Sequence, residues 1–493
     1  MLLLSYFILG VYTVALLYIT GYCLLQFNLL YHYRRAKAPV VPVVAHLDTA
    51  AAWPVVTVQL PIFNERYVVD RLIDRICELD YPKHRLEIQV LDDSTDETVA
   101  MSRAKVAAYR ARGFDISLHH RTDRTGYKAG ALKAATAKAR GEFIAIFDAD
   151  FLPRLDFLRR TIPHFRDEKV GVVQTRWEHI NEDYSLITRL QALQLNVHFT
   201  VEQKGRQAGD YLLQFNGTAG VWRRATIADA GGWEADTLTE DLDLSIRAQL
   251  KGWRIEYLEK LGSPAELPAE MNGLKSQQYR WMKGGAETAK KMLPTVWRSD
   301  LALRQKVQAT SHLLGSSIFV VIFVAGVFSV PLVFAVDLIG FDTRWFSWFL
   351  LGWISIAGIY YVGNVQGELD PGPWWKRFVK FLVLFPVFLA LSMGLSLHNT
   401  IAVVQGYIGK QSPFVRTPKF AINDIGDSFK KTTYRNYKIN WTTVFEGLLA
   451  LYFLGGALLG IYLESTAFVV FHLLLMCGFG GIFFFTLRHL RLK

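Results

Sequence analysis

Cysteine is nearly absent from this chain. Its 493 residues hold three, Cys23, Cys77 and Cys477, and none lies near another. That spacing excludes a disulfide framework and any zinc site built on paired thiolates. The charged part of the chain is therefore expected in a reducing compartment, or at least to fold without disulfides. Charged side chains are missing from residues 1–31, a run long enough to span a bilayer, which takes about 20 apolar residues. The basic cluster His32-Tyr33-Arg34-Arg35-Ala36-Lys37 follows this run, whereas a removable secretory leader carries its positive charge first. The same order places the N-terminus outside and residue 32 onward in the cytoplasm. No internal repeat or low-complexity segment is found.

Apolar residues make up 51% of the chain, aromatics 14%, and the formal net charge is +11. Such an excess of positive charge fits either an anionic partner or the flanks of membrane spans. The basic clusters at 32–37 and 488–493 adjoin apolar runs, so the second reading is taken and no nucleic-acid partner is expected. Four strong apolar runs follow the charged block, at 313–336, 345–366, 441–463 and 465–487. A fifth, 381–408, has Lys376, Arg377 and Lys380 before it and Lys410 after it. The basic segment 409–440 and the basic C-terminus both belong on the cytoplasmic side. Parity then makes 381–408 interfacial or re-entrant, leaving five spans, with six as the alternative if this run crosses.

From Trp53 to about Leu293, short apolar runs alternate with amphipathic helices. Residues 55–60, 86–91 and 143–147 read as strands, and 68–79 and 97–112 as helices. Continuous apolar strands alternating with helices predict a parallel sheet covered on both faces. Ligands of such sheets bind beyond the carboxyl ends of the strands. Asp92 and Asp93 end one strand and Asp148 ends another, so these acids share a rim.

Several short motifs carry chemistry there, and each also has a plain structural reading. Asp148-Ala149-Asp150 offers oxygen ligands to Mg²⁺ or Mn²⁺, which keeps substrate phosphates in its shell; the plain reading is a polar turn. Asp92-Asp93 before Ser94-Thr95-Asp96 also suits an Asx turn or helix cap. Lys128, at a glycine-containing helix start, suits a diphosphate or merely a solvated loop. Phe215-Asn216-Gly217-Thr218 allows close backbone approach to a ligand, or a tight turn. In Thr239-Glu240-Asp241 a carboxylate is placed either as a general base or as a favourable first-turn acid. Gln277-Gln278-Tyr279-Arg280-Trp281 combines a sugar-stacking face with a bidentate phosphate ligand, or anchors an interfacial helix.

In this order, together with Phe414-Val415-Arg416-Thr417-Pro418-Lys419, the motifs resemble the processive family-2 glycosyltransferases of the cellulose synthase superfamily. The likeness is nearest to the cellulose-synthase-like mannan and glucan synthases of the glucomannan 4-beta-mannosyltransferase type. It extends from about residue 55 to the C-terminus. The resemblance implies an α/β GT-A-type nucleotide-sugar-binding domain, residues 38–293, set between an N-terminal membrane anchor, 1–37, and a C-terminal channel region, 294–493. Loop 411–420 would gate the donor site, although Arg416 stands where the Phe-x-Val-Thr-x-Lys pattern has Val. The implied activity is inverting elongation and translocation of a β-linked polysaccharide from UDP-glucose or GDP-mannose.

The resemblance assigns Asp241 as catalytic base, with Asp148 and Asp150 holding Mg²⁺ or Mn²⁺. Asp92, Asp93, Lys128, Asp148, Arg280, Thr417 and Lys419 would bind the donor. Trp281, Gln277, Gly217 and Thr218 would bind the acceptor. The expected partners are a nucleotide sugar, the growing polysaccharide and the lipid bilayer. Transfer of one sugar to a lipid, and a non-catalytic transporter or scaffold, remain open. For the last of these, Glu446, His398 and His472 are the only ionisable candidates inside apolar runs.

Overall fold

The computed structural model describes residues 1–36, 53–367, 372–412, 415–422 and 439–491. The expected domain boundary at 37–38, most of the basic segment 409–440, and Pro413 and Phe414 of the loop lie outside these residues.

Seven strands form one sheet: β1 Val56–Ile62, β2 Leu86–Asp92, β3 Asp115–His120, β4 Phe143–Ile146, β5 Val170–His179, β6 Gly220–Arg223 and β7 Arg254–Ala265. Their order is β3-β2-β1-β4-β6-β5-β7. The first four run parallel, as do β5 and β7. Strand β6 runs antiparallel to both β4 and β5, so the sheet is mixed and the all-parallel expectation is corrected. A short buried strand such as Gly-Val-Trp-Arg reads the same in either direction, so its apolar pattern carries no sign of orientation.

Side chains alternate across a strand, and this decides which acids face which side. In β4, Phe143 and Ala145 join the core on one face, while Ile144 and Ile146 join the core on the other. In β2, Ile88 and Val90 share the first face and Leu91 the second. Continuing the alternation past the strand ends puts Asp93 and Asp148 on the second face, beside the helix Tyr127–Thr136 that carries Lys128. Asp92 falls on the other parity.

Among the described residues, six helices are long and apolar enough to cross a membrane, the arrangement of a multi-pass membrane protein: Leu2–Arg35, Leu303–Ile339, Thr343–Gln366, Trp374–Gly394, Trp441–Tyr462 and Thr466–Leu490. The sequence reading expected five. The difference is the run 381–408, which breaks at Leu395 into Trp374–Gly394 and Ser396–Ile408. The first of these touches the α/β unit near its start and the long helix Met271–Arg298 near its end, and along the way it packs against Thr466–Leu490, where Ala390 and Gly394 meet Gly478. Lys380 Nζ lies 3.0 Å from Glu182 Oε1. Phe381, Leu384, Phe385 and Phe388 pack on Leu190 and Leu193, and Leu391 and Leu395 pack with Ile187, Met271 and Leu274. The second piece lies along Met271–Arg298: His398 bonds Lys275 O at 2.9 Å and Tyr279 Oη bonds Gln405 at 2.6 Å.

The acids and histidines inside apolar runs are occupied structurally. Lys275 and Glu446 form a buried ion pair at 2.7 Å, and His472 Nε2 meets Ser329 Oγ at 2.9 Å.

Candidate active site

Asp148 emerges from β4 with its backbone N–H bonded to Thr218 Oγ1 at 2.9 Å. Its Oδ1 accepts from Lys128 Nζ at 2.5 Å, and Lys128 also reaches Gly217 O at 2.9 Å. Burial pulls the Lys128 pKa down, but Asp148, Glu240 and Asp241 outweigh it and hold the ammonium above its usual range. Asp150 is buried and its Oδ2 accepts from Lys419 Nζ at 2.6 Å.

Asp241 opens the helix Glu240–Leu250. The left-handed turn at Gly217 (φ 77°) brings backbone against it: a Cβ at Gly217 would sit 3.0 Å from Asp241 Oδ2 and 3.5 Å from Lys128 Nζ. Only glycine meets both conditions. Burial, and then the neighbouring Glu240 carboxylate, push the Asp241 pKa up to about 7. That is the range in which a general base works best near neutrality.

Residues 415–422 lie over this site. Arg280 Nη2 donates to Thr417 Oγ1 at 2.8 Å, and Phe420 N donates to Glu266 Oε1 at 2.8 Å. Arg416 Nη1 meets Glu65 Oε2 at 2.8 Å. Phe420 and Ile422 pack on Ala269. Arg280 faces Asp148, Glu240, Glu65 and Asp150, with burial lowering its own pKa first.

A cavity of about 1130 Å³ joins these groups. It is lined by Asp93, Lys128, Asp148, Asp150, Gly217 and Asp241 at one end, with Gln277, Arg280, Trp281, Thr417 and Lys419 beside them. It continues between the long apolar helices, past Tyr12, Phe319, Phe346, Trp353 and Phe468. Trp281 is half-buried against the second core.

Two expected site residues fall elsewhere. Asp92 is fully buried, closes its own turn by accepting from Ser94 N at 2.8 Å, and does not line the cavity. Asp93, one residue on and of opposite parity, lines it while its two oxygens hold Arg121 at 2.8 and 2.5 Å. Thr218 is buried behind Asp148 and is not a lining residue. The sequence reading missed Glu65, Glu266 and Arg124. Arg124 stacks on Phe63, with its Cζ 3.3 Å from the ring centroid, and lines the same end. Arg124 lies in the basic element that leads to Lys128 but was given no role, and Glu65 and Glu266 sit in no motif.

The residues present fit a divalent cation. Asp148 and Asp150 are hard oxygen donors at a strand end, each with only one oxygen committed to a lysine, and a diphosphate would complete the shell. Glu234, Asp236 and Asp243 also converge, within 4.8 Å. Lys291 already occupies their centre at 2.5, 2.8 and 3.1 Å, and none of the three lines the cavity.

A mixed sheet with carboxylates beyond β2 and β4, covered by helices on both faces, defines a GT-A-type glycosyltransferase domain. Residues 54–284 match the family described as "Glycosyltransferase like family 2". It is 44% identical over 254 residues to glucomannan 4-beta-mannosyltransferase 1 of Oryza sativa subsp. japonica, covering 50% of this chain and 49% of the relative. To glucomannan 4-beta-mannosyltransferase 2 of Arabidopsis thaliana it is 44% identical over 252 residues, 50% of this chain and 47% of the relative. The chain thus spans about half the length of these relatives. Among solved structures, a mannosyltransferase from Pyrobaculum calidifontis in complex with GDP-Man and Mn²⁺ superposes with a TM-score of 0.51 at 18% identity, over 82% of this chain and 100% of that one. This likeness is one of fold.

Proposed function

We propose that this protein is a membrane-embedded, inverting hexosyltransferase. It extends a β-1,4-linked polysaccharide from a nucleoside diphosphate sugar and passes the product between its own helices. The observation that carries this reading is the continuous cavity, acidic and cationic at one end and aromatic and apolar at the other. An enzyme that released a small product to solvent has no use for the second half. The 44% identity to two 4-beta-mannosyltransferases favours mannose as the transferred sugar.

Asp148 and Asp150 would hold Mg²⁺ or Mn²⁺, which supplies charge neutralisation at the diphosphate. Lys128, Arg280 and Lys419 bring positive charge to the same oxygens. Asp241 takes the proton from the acceptor hydroxyl, and its raised pKa suits that transfer. Trp281 offers a face to the acceptor's terminal sugar. The α/β unit faces the cytoplasm, with the interfacial pieces of 374–408 on that side.

The test is a panel of radiolabelled nucleotide sugars supplied to the purified protein in lipid. Insoluble β-linked polymer, with GDP-mannose preferred over UDP-glucose, is the expected product. A lipid carrying a single sugar would overturn processive synthesis, and the absence of any nucleotide turnover would overturn the enzyme reading.

A further inference from the structure

Each carboxylate of Asp148-Ala149-Asp150 is held by a different lysine, and the two lysines come from opposite sides. Lys128 reaches Asp148 at 2.5 Å from the helix Tyr127–Thr136. Lys419 reaches Asp150 at 2.6 Å from the loop above the site, where Glu266 O also accepts from it at 3.3 Å. Asp150 and Lys419 are largely buried, with side-chain exposures of 7% and 13%. A divalent cation ligated by these carboxylates meets an ammonium already in place on each of them. Two like charges sharing one carboxylate repel, most strongly at buried Asp150 and less at Asp148, whose side chain is 35% exposed, so ligation favours a lysine that finds another anion.

The proposed donor supplies that anion. A nucleoside diphosphate sugar and one divalent cation together carry no net charge. The pair can therefore enter without changing the charge of the site, provided partners are exchanged: carboxylates pass from the lysines to the cation, and lysines pass from the carboxylates to the diphosphate. Either one entering alone leaves a buried group uncompensated.

We propose that Lys128 and Lys419 are exchangeable counter-ions, which Asp148 and Asp150 give up to the cation only when a diphosphate is there to receive them. The inference rests on the donor-and-cation reading above. It adds that Lys419 joins loop position to cation occupancy, because the residue that releases Asp150 belongs to the segment that Thr417 and Phe420 tie down. Cation and donor then bind synergistically, and the coupling is reciprocal.

The experiment measures Mn²⁺ binding to the full-length protein in lipid by electron paramagnetic resonance, with Mn²⁺ alone and with Mn²⁺ plus UDP or GDP. For the parent, the nucleotide diphosphate should tighten Mn²⁺ binding about tenfold or more. In Lys419→Met, Mn²⁺ alone should bind about tenfold more tightly than in the parent, and the gain from nucleotide should shrink by the same factor. Lys419→Arg keeps the charge and should behave as the parent. Lys128→Met tests the other carboxylate independently, should the loop variant fold poorly. Mn²⁺ affinity unchanged or weakened in both methionine variants without nucleotide overturns the exchange, even if the parent makes polymer. No Mn²⁺ binding to the parent with either nucleotide overturns it as well, and removes the cation from the proposed function.

Discussion

Arg416 Nη1 lies 2.8 Å from Glu65 Oε2, and both side chains are nearly buried, with exposures of 11% and 12%. Arg416 is the position at which the loop departs from Phe-x-Val-Thr-x-Lys, and Glu65 supplies its counter-charge from the turn after β1. Burial still pushes Glu65 up to about 7, against the pull of Arg416 and Lys419. Removing one member of such a pair costs roughly 3–5 kcal/mol, because the other charge is left uncompensated, whereas an apolar pair is often neutral. Glu65→Leu alone should therefore loosen the loop, seen as faster proteolysis within 415–422 and a higher donor KM. Glu65→Leu combined with Arg416→Val should recover most of both. Equal effects in the single and double variants would show that the pair does not hold the loop.

Asp241→Asn tests the base. It keeps the shape beside Gly217 and removes only the ability to take a proton, a step often worth about 10²–10⁴-fold. Nucleotide binding by calorimetry should survive while transfer is lost. Because the carboxyl pKa is raised to about 7 and the base acts ionised, kcat/KM should be full above that value and fall as pH drops through it. Near-normal polymer from Asp241→Asn would remove Asp241 from the mechanism.

Asp148→Ala and Asp150→Ala each strand a lysine and remove a carboxylate proposed to hold the cation. Both should weaken cation-dependent donor binding, and EDTA should abolish the parent's activity, with Mn²⁺ or Mg²⁺ restoring it. Activity that persists through chelation would exclude the cation role given to these carboxylates.

The strands that position the site were readable because each is a short β-rich run with a clear stop, Pro61 after 55–60 and an aspartate after 86–91 and 143–147, against observed β1, β2 and β4. Neighbouring acids were harder to tell apart. Asp92 and Asp93 look alike in sequence, and the alternation of β2 alone separates the turn-closing residue from the lining one. Thr218 failed for the same reason, being turned inward behind Asp148. Glu65 was illegible because its partner lies some 350 positions away in the loop, a contact that no local pattern records. The polarity of β6 and the break at Leu395 depend on tertiary packing. Gly394 approaches Gly478 so closely that a Cβ would meet its carbonyl carbon at 2.3 Å, and nothing near Leu395 in the chain announces this.

Topology gives a further test. Arg280 and Asp150 bond Thr417 and Lys419, so 415–422 is expected on the same side as the α/β unit. A single cysteine placed at Gln411, which is exposed, and one placed at Arg103 on the α/β unit should react with the same membrane-impermeant reagent from the same side. Labelling from opposite sides would mean that Trp374–Gly394 crosses the bilayer, and that its contacts with Glu182 and Leu274 do not mark an interfacial helix.

Trp281 decides between an anchor and an acceptor platform. It lines the cavity next to Gln277 and Arg280 and is half-buried against the second core, so one face has support and another meets the cavity. Stacking on an aromatic face contributes about 1–3 kcal/mol by analogy with base contacts, enough to weaken an acceptor roughly ten- to a hundredfold. Trp281→Ala touches neither Asp148 and Asp150 nor Asp241. Its KM for an added β-1,4 oligosaccharide should rise by that factor, and its polymer should shorten, while nucleotide affinity changes far less. Trp281→Phe keeps a ring and should restore chain length in part. Full-length polymer from Trp281→Ala at the parent rate would leave Trp281 as packing for the helix Met271–Arg298 and move the acceptor's contact elsewhere along the cavity.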